Sequence, residues 1–207
     1  MTLIMKSESY VRGDVIAANM HRARKHVFVD LLKWDVPTVD GEFEVDQFDD
    51  DGAIYLISAE PDGTHRGSIR LLPTTRPHIL GSLFPHLCDG EVPTGPNIYE
   101  ITRGCFSPSI GAAARIRVRN QLVTSAVEFA LFNGIERFTC VVEGGLYSQL
   151  LSLGWVCEPL GLPQMVGSTV MGALQITVTR ETPRLLLNAG SYVHSTLELA
   201  TPALLAA

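Results

Sequence analysis

Apolar residues recur at Ile16, Met20, Ala23, Val27 and Leu31, spacings of three and four that put one stripe on a helix over about 12–32. The period is lost from 33 to 51, which reads as a long loop. Ala53-Ile54-Tyr55-Leu56-Ile57 and Gly67-Ser68-Ile69-Arg70-Leu71-Leu72 read as two strands of a hairpin turned at Gly63. Pro73, Pro77 and Gly81 interrupt the pattern. A strand region over about 97–106 ends at Pro108 and Gly111. A helix follows over about 113–132, with Gly134 as its stop, and 135–142 is again β-rich. Gly144-Gly145 opens a short helix ending near Gly154, and strands around 155–158 and 169–179 follow. The strand–helix–strand unit over 97–142 implies parallel strands with a right-handed crossover. The expected class is therefore α/β (α+β), helices packed on a mixed sheet. One domain is expected over 1–188. Residues 189–207 carry one charge, Glu198, and read as a tail.

Composition narrows the partners. Apolar residues make up 46% of the 207 and charged residues 18%, which is a globular balance. No apolar run approaches the roughly 18–20 residues that span a bilayer. The first residues lack the basic region and long apolar core of a signal peptide, so a cytoplasmic location is expected. Net charge of −6 argues against a general nucleic-acid binder. Cys88, Cys105, Cys140 and Cys157 form no C-x-x-C pair and have no His at ligand spacing, so free thiols and no metal are expected.

The charge is unevenly spread. Asp35, Asp40, Glu42, Glu44, Asp46, Asp49, Asp50 and Asp51 crowd residues 35–51 without a Lys or Arg. Two acid-free stretches follow, 63–88 with Arg66, Arg70 and Arg76, and 101–127 with Arg103, Arg115, Arg117 and Arg119. Such a layout reads either as solvated surface or as one pocket for a cation and one face for an anion. Three clusters carry candidate chemistry: Arg24, Phe28 and Trp34; Asp46 with Asp49; and Glu100 with Arg103. Each alone has a structural reading, as a solvated acid pair, a core tryptophan or an ion pair.

Taken in order, these clusters resemble the LuxI-type acyl-homoserine-lactone synthases. That family combines an Arg, Phe and Trp near its start with D-x-x-D, R-L-L-P-T and E-x-x-R motifs. Here they stand as Arg24, Phe28, Trp34, Asp46, Asp49, Arg70 to Thr74, Glu100 and Arg103, and Ser68 to Leu87 is the most specific stretch. The resemblance covers about residues 15 to 160. It implies a fold like the GNAT acetyltransferases, a twisted mixed sheet with helices on both faces and a V-shaped cleft between two parallel strands. Two departures concern the acyl chain: Gly104 follows the E-x-x-R arginine, and Glu143 stands where a small or hydroxyl residue is usual.

The resemblance further implies two substrates, S-adenosylmethionine and an acyl thioester on an acyl carrier protein or coenzyme A. The methionine amine attacks the thioester, and the carboxylate then closes a lactone and releases methylthioadenosine. No separate cofactor is expected. Asp46 and Asp49 suit the cationic end of S-adenosylmethionine. Arg24, Arg70 and Arg103 either fork onto its carboxylate or stabilise these acids. Glu100 either positions the amine or serves as base through a water. Phe28 and Trp34 close over the substrates. Phe84, Phe106, Thr139, Val141, Glu143 and Leu146 line the acyl pocket, and Arg115, Arg117 and Arg119 form the face for the carrier protein. An N-acyltransferase of another amine, or a non-catalytic sensor, are the competing readings.

Overall fold

A computed structural model describes residues 2–6, 14–194 and 197–199. Strand β1 is Thr2–Lys6 and helix α1 Val15–Arg24, which runs on as a π-helix over Lys25–Leu31. Strands β2 (Thr38–Val39), β3 (Phe43–Glu44), β4 (Ile54–Ala59) and β5 (His65–Pro73) follow, then α2 (Ile79–Leu83) and a 3-10 turn at Pro85–Leu87. Next come β6 (Ile98–Phe106), α3 (Ala112–Asn133), β7 (Arg137–Glu143), α4 (Gly144–Leu151), β8 (Val156–Pro159), β9 (Gln164–Val166), β10 (Thr169–Thr177), α5 (Thr182–Asn188) and β11 (Leu197–Leu199). The class is mixed α/β, as the sequence implies. The stretch read as one domain groups into two compact units: residues 1–70, 103–125 and 194–207, and residues 71–102 and 126–193. Among the described residues no helix is long and apolar enough to cross a membrane.

In the first unit the strand order is β11-β1-β4-β5-β6. β1 runs antiparallel to β4, with Leu3 opposite Ile57 and Met5 opposite Tyr55. β11 adds in parallel on the other side of β1, so part of the expected tail is a strand. α1 begins at Asp14, whose carboxylate accepts the N–H groups of Ile16 and Ala17 at 2.9 and 3.2 Å. The β4–β5 turn needs the left-handed φ of +82° that Gly63 supplies. After Arg24 the extra residue per turn of the π-helix turns Phe28 into the core. The expected loop over 33–51 holds the β2–β3 hairpin, turned by Asp40 and Gly41, both at positive φ. Strands of two residues are too short to leave a periodic signal.

In the second unit the order is β5-β6-β7-β10-β8, with β9 on β10. β6 and β7 are parallel, registered at Ile98–Arg137, Tyr99–Phe138 and Glu100–Thr139, and joined through α3. β7 continues past that last pair to Glu143. It pairs antiparallel with β10, from Arg137 opposite Thr177 to Glu143 opposite Met171. Leu80, Leu87 and Ala173 form a fully buried apolar cluster, with Phe84, Val141, Leu160 and Met171 packed against it.

Candidate active site

The long-range consequence of the β3 hairpin and the following loop is an ion network in the first unit. Arg24 lays both terminal nitrogens on Asp49, at 2.8 Å each, and donates Nε to Glu44 at 2.5 Å. Arg70 donates to both oxygens of Asp46, at 2.7 and 3.0 Å, and reaches Asp49 at 2.7 Å. Arg103 donates Nε to Glu44 at 3.0 Å and Nη2 to Asp46 at 2.6 Å. Asp49 also accepts the Asp46 N–H at 2.8 Å and the Tyr55 hydroxyl at 2.9 Å. Three guanidiniums thus meet three carboxylates, and the charges cancel. Arg70 and Arg103, from the two acid-free stretches, thus meet Glu44, Asp46 and Asp49 of the acidic run in one compensated network. The reason is burial, since charges removed from water must be paired.

The arginines are not equivalent. The side chains of Arg24 and Arg70 are 1% and 0% exposed, against 11% for Arg103. Arg24 and Arg70 therefore serve the acids, and Arg103 is the arginine with a solvent-facing edge. Its backbone has a φ of +50°, a strained conformation for a residue with a side chain. Its guanidinium lies 5.6 Å over the Phe28 ring, and Phe28 stacks on Trp34 at 4.8 Å with planes 9° apart. The expected aromatic pair is thus brought to the network.

Burial and charge work against each other here. Burial alone would lower the Arg24 and Arg70 values, but the neighbouring carboxylates outweigh it and raise both. Burial would raise the Asp49 carboxyl, yet Arg24 and Arg70 hold it well below the usual carboxylate range. For Arg103 burial wins, and its pKa falls despite Glu44 and Asp46. Burial, then Asp49, pushes the Tyr55 phenol up.

Glu100 sits in the second unit, fully buried. Its two oxygens accept the backbone N–H groups of Ile79 and Leu80, at 2.7 and 2.8 Å, and so fix the start of α2. Both carboxylate oxygens are thus engaged in holding the start of α2. Thr139, opposite Glu100 on β7, is fully buried, and its hydroxyl has no partner among the described residues.

Phe84 and Val141 join the apolar cluster around Leu80, Leu87 and Ala173. Glu143 and Leu146 are half-buried, Glu143 at the start of α4 and opposite Met171. Phe106 belongs to the first unit, where its ring edge lies over Gly67. A Cβ at Gly67 would sit 3.1 Å from Phe106 and 2.7 Å from Val118. On α3, Arg115 and Arg117 are exposed, whereas Arg119 is half-buried and donates to Asn120. At 100° per residue, Arg117 is turned about 200° from Arg115, so the three arginines do not share one face. Among the described residues no group of three or more His, Cys, Asp or Glu is arranged to hold a metal.

Two members of these sites escaped the sequence reading. Glu44 is one acid among eight in its run. Tyr55 reads as a strand residue.

The model of the autoinducer synthase family matches residues 8–186. An acyl-homoserine-lactone synthase from Rhizobium etli is 34% identical over 162 residues, covering 76% of each chain. An isovaleryl-homoserine lactone synthase from Bradyrhizobium diazoefficiens is 30% identical over 162 residues, 78% of this chain and 72% of that one. Among solved structures, the coenzyme A-dependent acyl-homoserine lactone synthase BjaI, held with S-adenosylmethionine and isopentyl-coenzyme A, is 26% identical with a TM-score of 0.82, covering 100% of this chain and 98% of that one. The synthase LasI is likewise 26% identical, with a TM-score of 0.81 and coverage of 95% and 98%. Escherichia coli ElaA, 12% identical, covers 84% of this chain and 97% of that one and shares the fold at a TM-score of 0.57. Fold and likeness together define an acyltransferase with a GNAT-like architecture. The chain belongs to the autoinducer synthase family, as an acyl-homoserine-lactone synthase.

Proposed function

We propose that the chain transfers an acyl group from a thioester to the amine of S-adenosylmethionine and then closes the homoserine lactone, releasing methylthioadenosine. The observation that carries this reading is the compensated network of Arg24, Glu44, Asp46, Asp49, Arg70 and Arg103 beside stacked Phe28 and Trp34. BjaI was solved with S-adenosylmethionine and isopentyl-coenzyme A, and TofI with methylthioadenosine and an inhibitor, which supports S-adenosylmethionine and a coenzyme A-borne chain as substrates and methylthioadenosine as the second product here.

In this reading Arg103 turns its exposed edge to the methionine carboxylate. That contact releases part of Asp46 to the cationic end of the substrate, so binding exchanges one charge pairing for another. Arg24 and Arg70 hold Asp49 and Asp46 in place. Phe28 and Trp34 cover the sulfonium and exclude water. Glu100 fixes α2, whose Leu80 and Phe84 receive the acyl chain with Val141, Ala173 and Met171. Thr139 donates its hydroxyl to an oxygen of the thioester. Lactone closure then needs the substrate held curled, with its carboxylate oxygen against the carbon beside sulfur. The donor is an acyl carrier protein or coenzyme A thioester, and the need for either substrate supports a cytoplasmic location.

The test is product analysis. Purified protein with S-adenosylmethionine and acyl thioesters should form N-acyl-homoserine lactone and methylthioadenosine in equal amounts. An open-chain acylated amine without methylthioadenosine overturns the reading.

A further inference from the structure

We propose that His21 is a positioning residue for S-adenosylmethionine, holding Glu44 so that the Glu44 carboxylate aims Arg103 at the substrate. The inference rests on the substrate reading above and adds a residue to it.

His21 lies on α1 and is only 7% exposed. Its Nδ1 lies 2.9 Å from the Glu44 carbonyl oxygen. A carbonyl only accepts, so Nδ1 carries the hydrogen and donates. Burial, then Arg24, lower the pKa of the ring, which is therefore neutral near neutral pH. A neutral imidazole has a single N–H, and this contact takes it. His21 and Arg24 are three positions apart on α1 and share a face. Both reach Glu44, His21 at the backbone and Arg24 at the carboxylate.

The hold is needed because β3 has little else to fix it. β3 pairs only with β2, and both strands are two residues long. A two-stranded ribbon of that size does not keep its place by itself. On its outer side Arg22 donates to Glu42 at 2.6 Å and lies 4.9 Å over the Phe43 ring. Arg22 and Glu42 are 47% and 51% exposed, where an ion pair adds little. The His21 bond is enclosed, and a hydrogen bond shielded from water is the stronger kind.

Glu44 passes this hold to the substrate-facing arginine. Its Oε1 accepts Arg103 Nε at 3.0 Å, and its other oxygen accepts Arg24. Arg103 keeps the solvent-facing edge and a strained φ of +50°, so its pose depends on where Glu44 sits. The other side of the ring braces a second acid. His21 meets Tyr55 edge to face, with centroids 6.0 Å apart and planes at 75°, and the Tyr55 hydroxyl donates to Asp49 at 2.9 Å. His21, Glu44, Asp49, Tyr55 and Arg103 all belong to the first unit. A binding group displaced by about 1 Å loses much of its hold on the substrate.

The test compares His21→Leu with His21→Asn in the full chain. Leu removes the N–H at similar size, whereas Asn brings an amide N–H to the place of Nδ1. Each protein is titrated calorimetrically with S-adenosylmethionine alone, assayed for kcat and for KM of both substrates, and melted. In the Leu protein, Kd and KM for S-adenosylmethionine should rise about tenfold, the worth of one enclosed hydrogen bond, with KM for the acyl thioester within about twofold. The Asn protein should return to within about threefold of wild type. Binding within about twofold of wild type in the Leu protein overturns the proposal. So does an Asn protein as weak as the Leu protein. A loss that appears in kcat and in both KM values together also overturns it, because His21 then supports only the fold. Should the Leu protein fail to fold, Asn is compared with His21→Gln, whose amide falls at the place of Nε2. Gln should then bind S-adenosylmethionine about tenfold more weakly than Asn, and equal binding overturns the proposal. Wild type that does not bind S-adenosylmethionine counts against the substrate reading itself, and the calorimetry shows this before any variant is compared.

Discussion

Arg103 Nε donates to Glu44 Oε1 at 3.0 Å, across 59 positions of sequence, while the other Glu44 oxygen takes Arg24 Nε at 2.5 Å. Glu44 is fully buried and ties Arg103, which keeps one solvent-facing edge, to the enclosed Arg24. The pairing explains how Arg103 can hold a strained φ of +50°: two charge-assisted bonds fix the side chain and select the backbone pose.

Replacing Glu44 with Gln should therefore be costly. Three buried guanidiniums would face two carboxylates, and the amide nitrogen of Gln would point at one of them. Breaking one side of a buried ion pair costs about 3–5 kcal/mol. Urea denaturation should show a loss of that order, with turnover falling as Arg103 loosens. A loss under about 1 kcal/mol would mean that the network is wetter and more weakly coupled than its geometry implies.

Asp49 and Tyr55 give a graded comparison. Asp49→Asn leaves Arg24 and Arg70 short of a charge, so folding stability should drop by about 3 kcal/mol or more. Tyr55→Phe removes only one hydroxyl donor, at a cost of about 1–2 kcal/mol. The Asp49 carboxyl is held below the usual range, so its contribution is present above the unfolded carboxylate value and is lost as pH falls toward the lower folded value. Wild type should thus lose its stability advantage over Asp49→Asn in acid. A difference that stays constant from pH 7 to pH 3 would argue against an ionised Asp49.

Much of this was legible in the sequence, for identifiable reasons. The β4–β5 hairpin shows because alternation and Gly63 mark it, and the β6–α3–β7 unit because Gly134 stops a long helix between two β-rich runs. Arg24, Asp46, Asp49, Arg70 and Arg103 stand out by order and spacing. Their mutual pairing does not, because it joins residues 21 to 57 positions apart and depends on how the β2–β3 hairpin folds. Glu44 hides in an acidic run for the same reason. Tertiary contacts, which no period encodes, separate the two classes.

The α3 arginines test the donor. Arg115 and Arg117 are exposed, and neither Asp nor Glu lies in the first turn of α3. Because the two side chains point about 200° apart on the helix, each is reversed singly, and reversal of the one on the docking face should raise KM for an acyl carrier protein about tenfold and leave KM for S-adenosylmethionine unchanged. The effect should shrink as salt approaches a Debye length of about 3 Å near 1 M. Arg119 is excluded from the pair because its guanidinium is engaged with Asn120. Equal KM values for the carrier in wild type and both variants at low salt would place its docking surface elsewhere.

His65 should set a pH dependence of stability distinct from that of Asp49. It is buried on β5, its Nε2 lies 2.9 Å from the Ser68 hydroxyl, and its Nδ1 has no partner among the described residues. A second proton would create a buried N–H without an acceptor. Burial accordingly lowers its pKa from the ordinary 6.5 to about 4. Between these values the unfolded chain binds a proton that the folded chain refuses. Stability is then fully present above 6.5 and declines as pH falls toward about 4. The decline amounts to about 2–3 kcal/mol between pH 7 and pH 4.5. His21 also has a lowered value, through burial and then Arg24, and acts in the same direction. A single substitution is needed to separate the two. His65→Gln keeps an amide where Nε2 meets Ser68 and removes the titration. Unfolding free energies of both proteins, measured by urea at pH 7, 6, 5 and 4.5, should converge or cross as pH falls, because wild type loses stability that the Gln protein does not. Parallel curves would show that His65 takes up its proton in the folded chain at the ordinary pH, and that water reaches Nδ1.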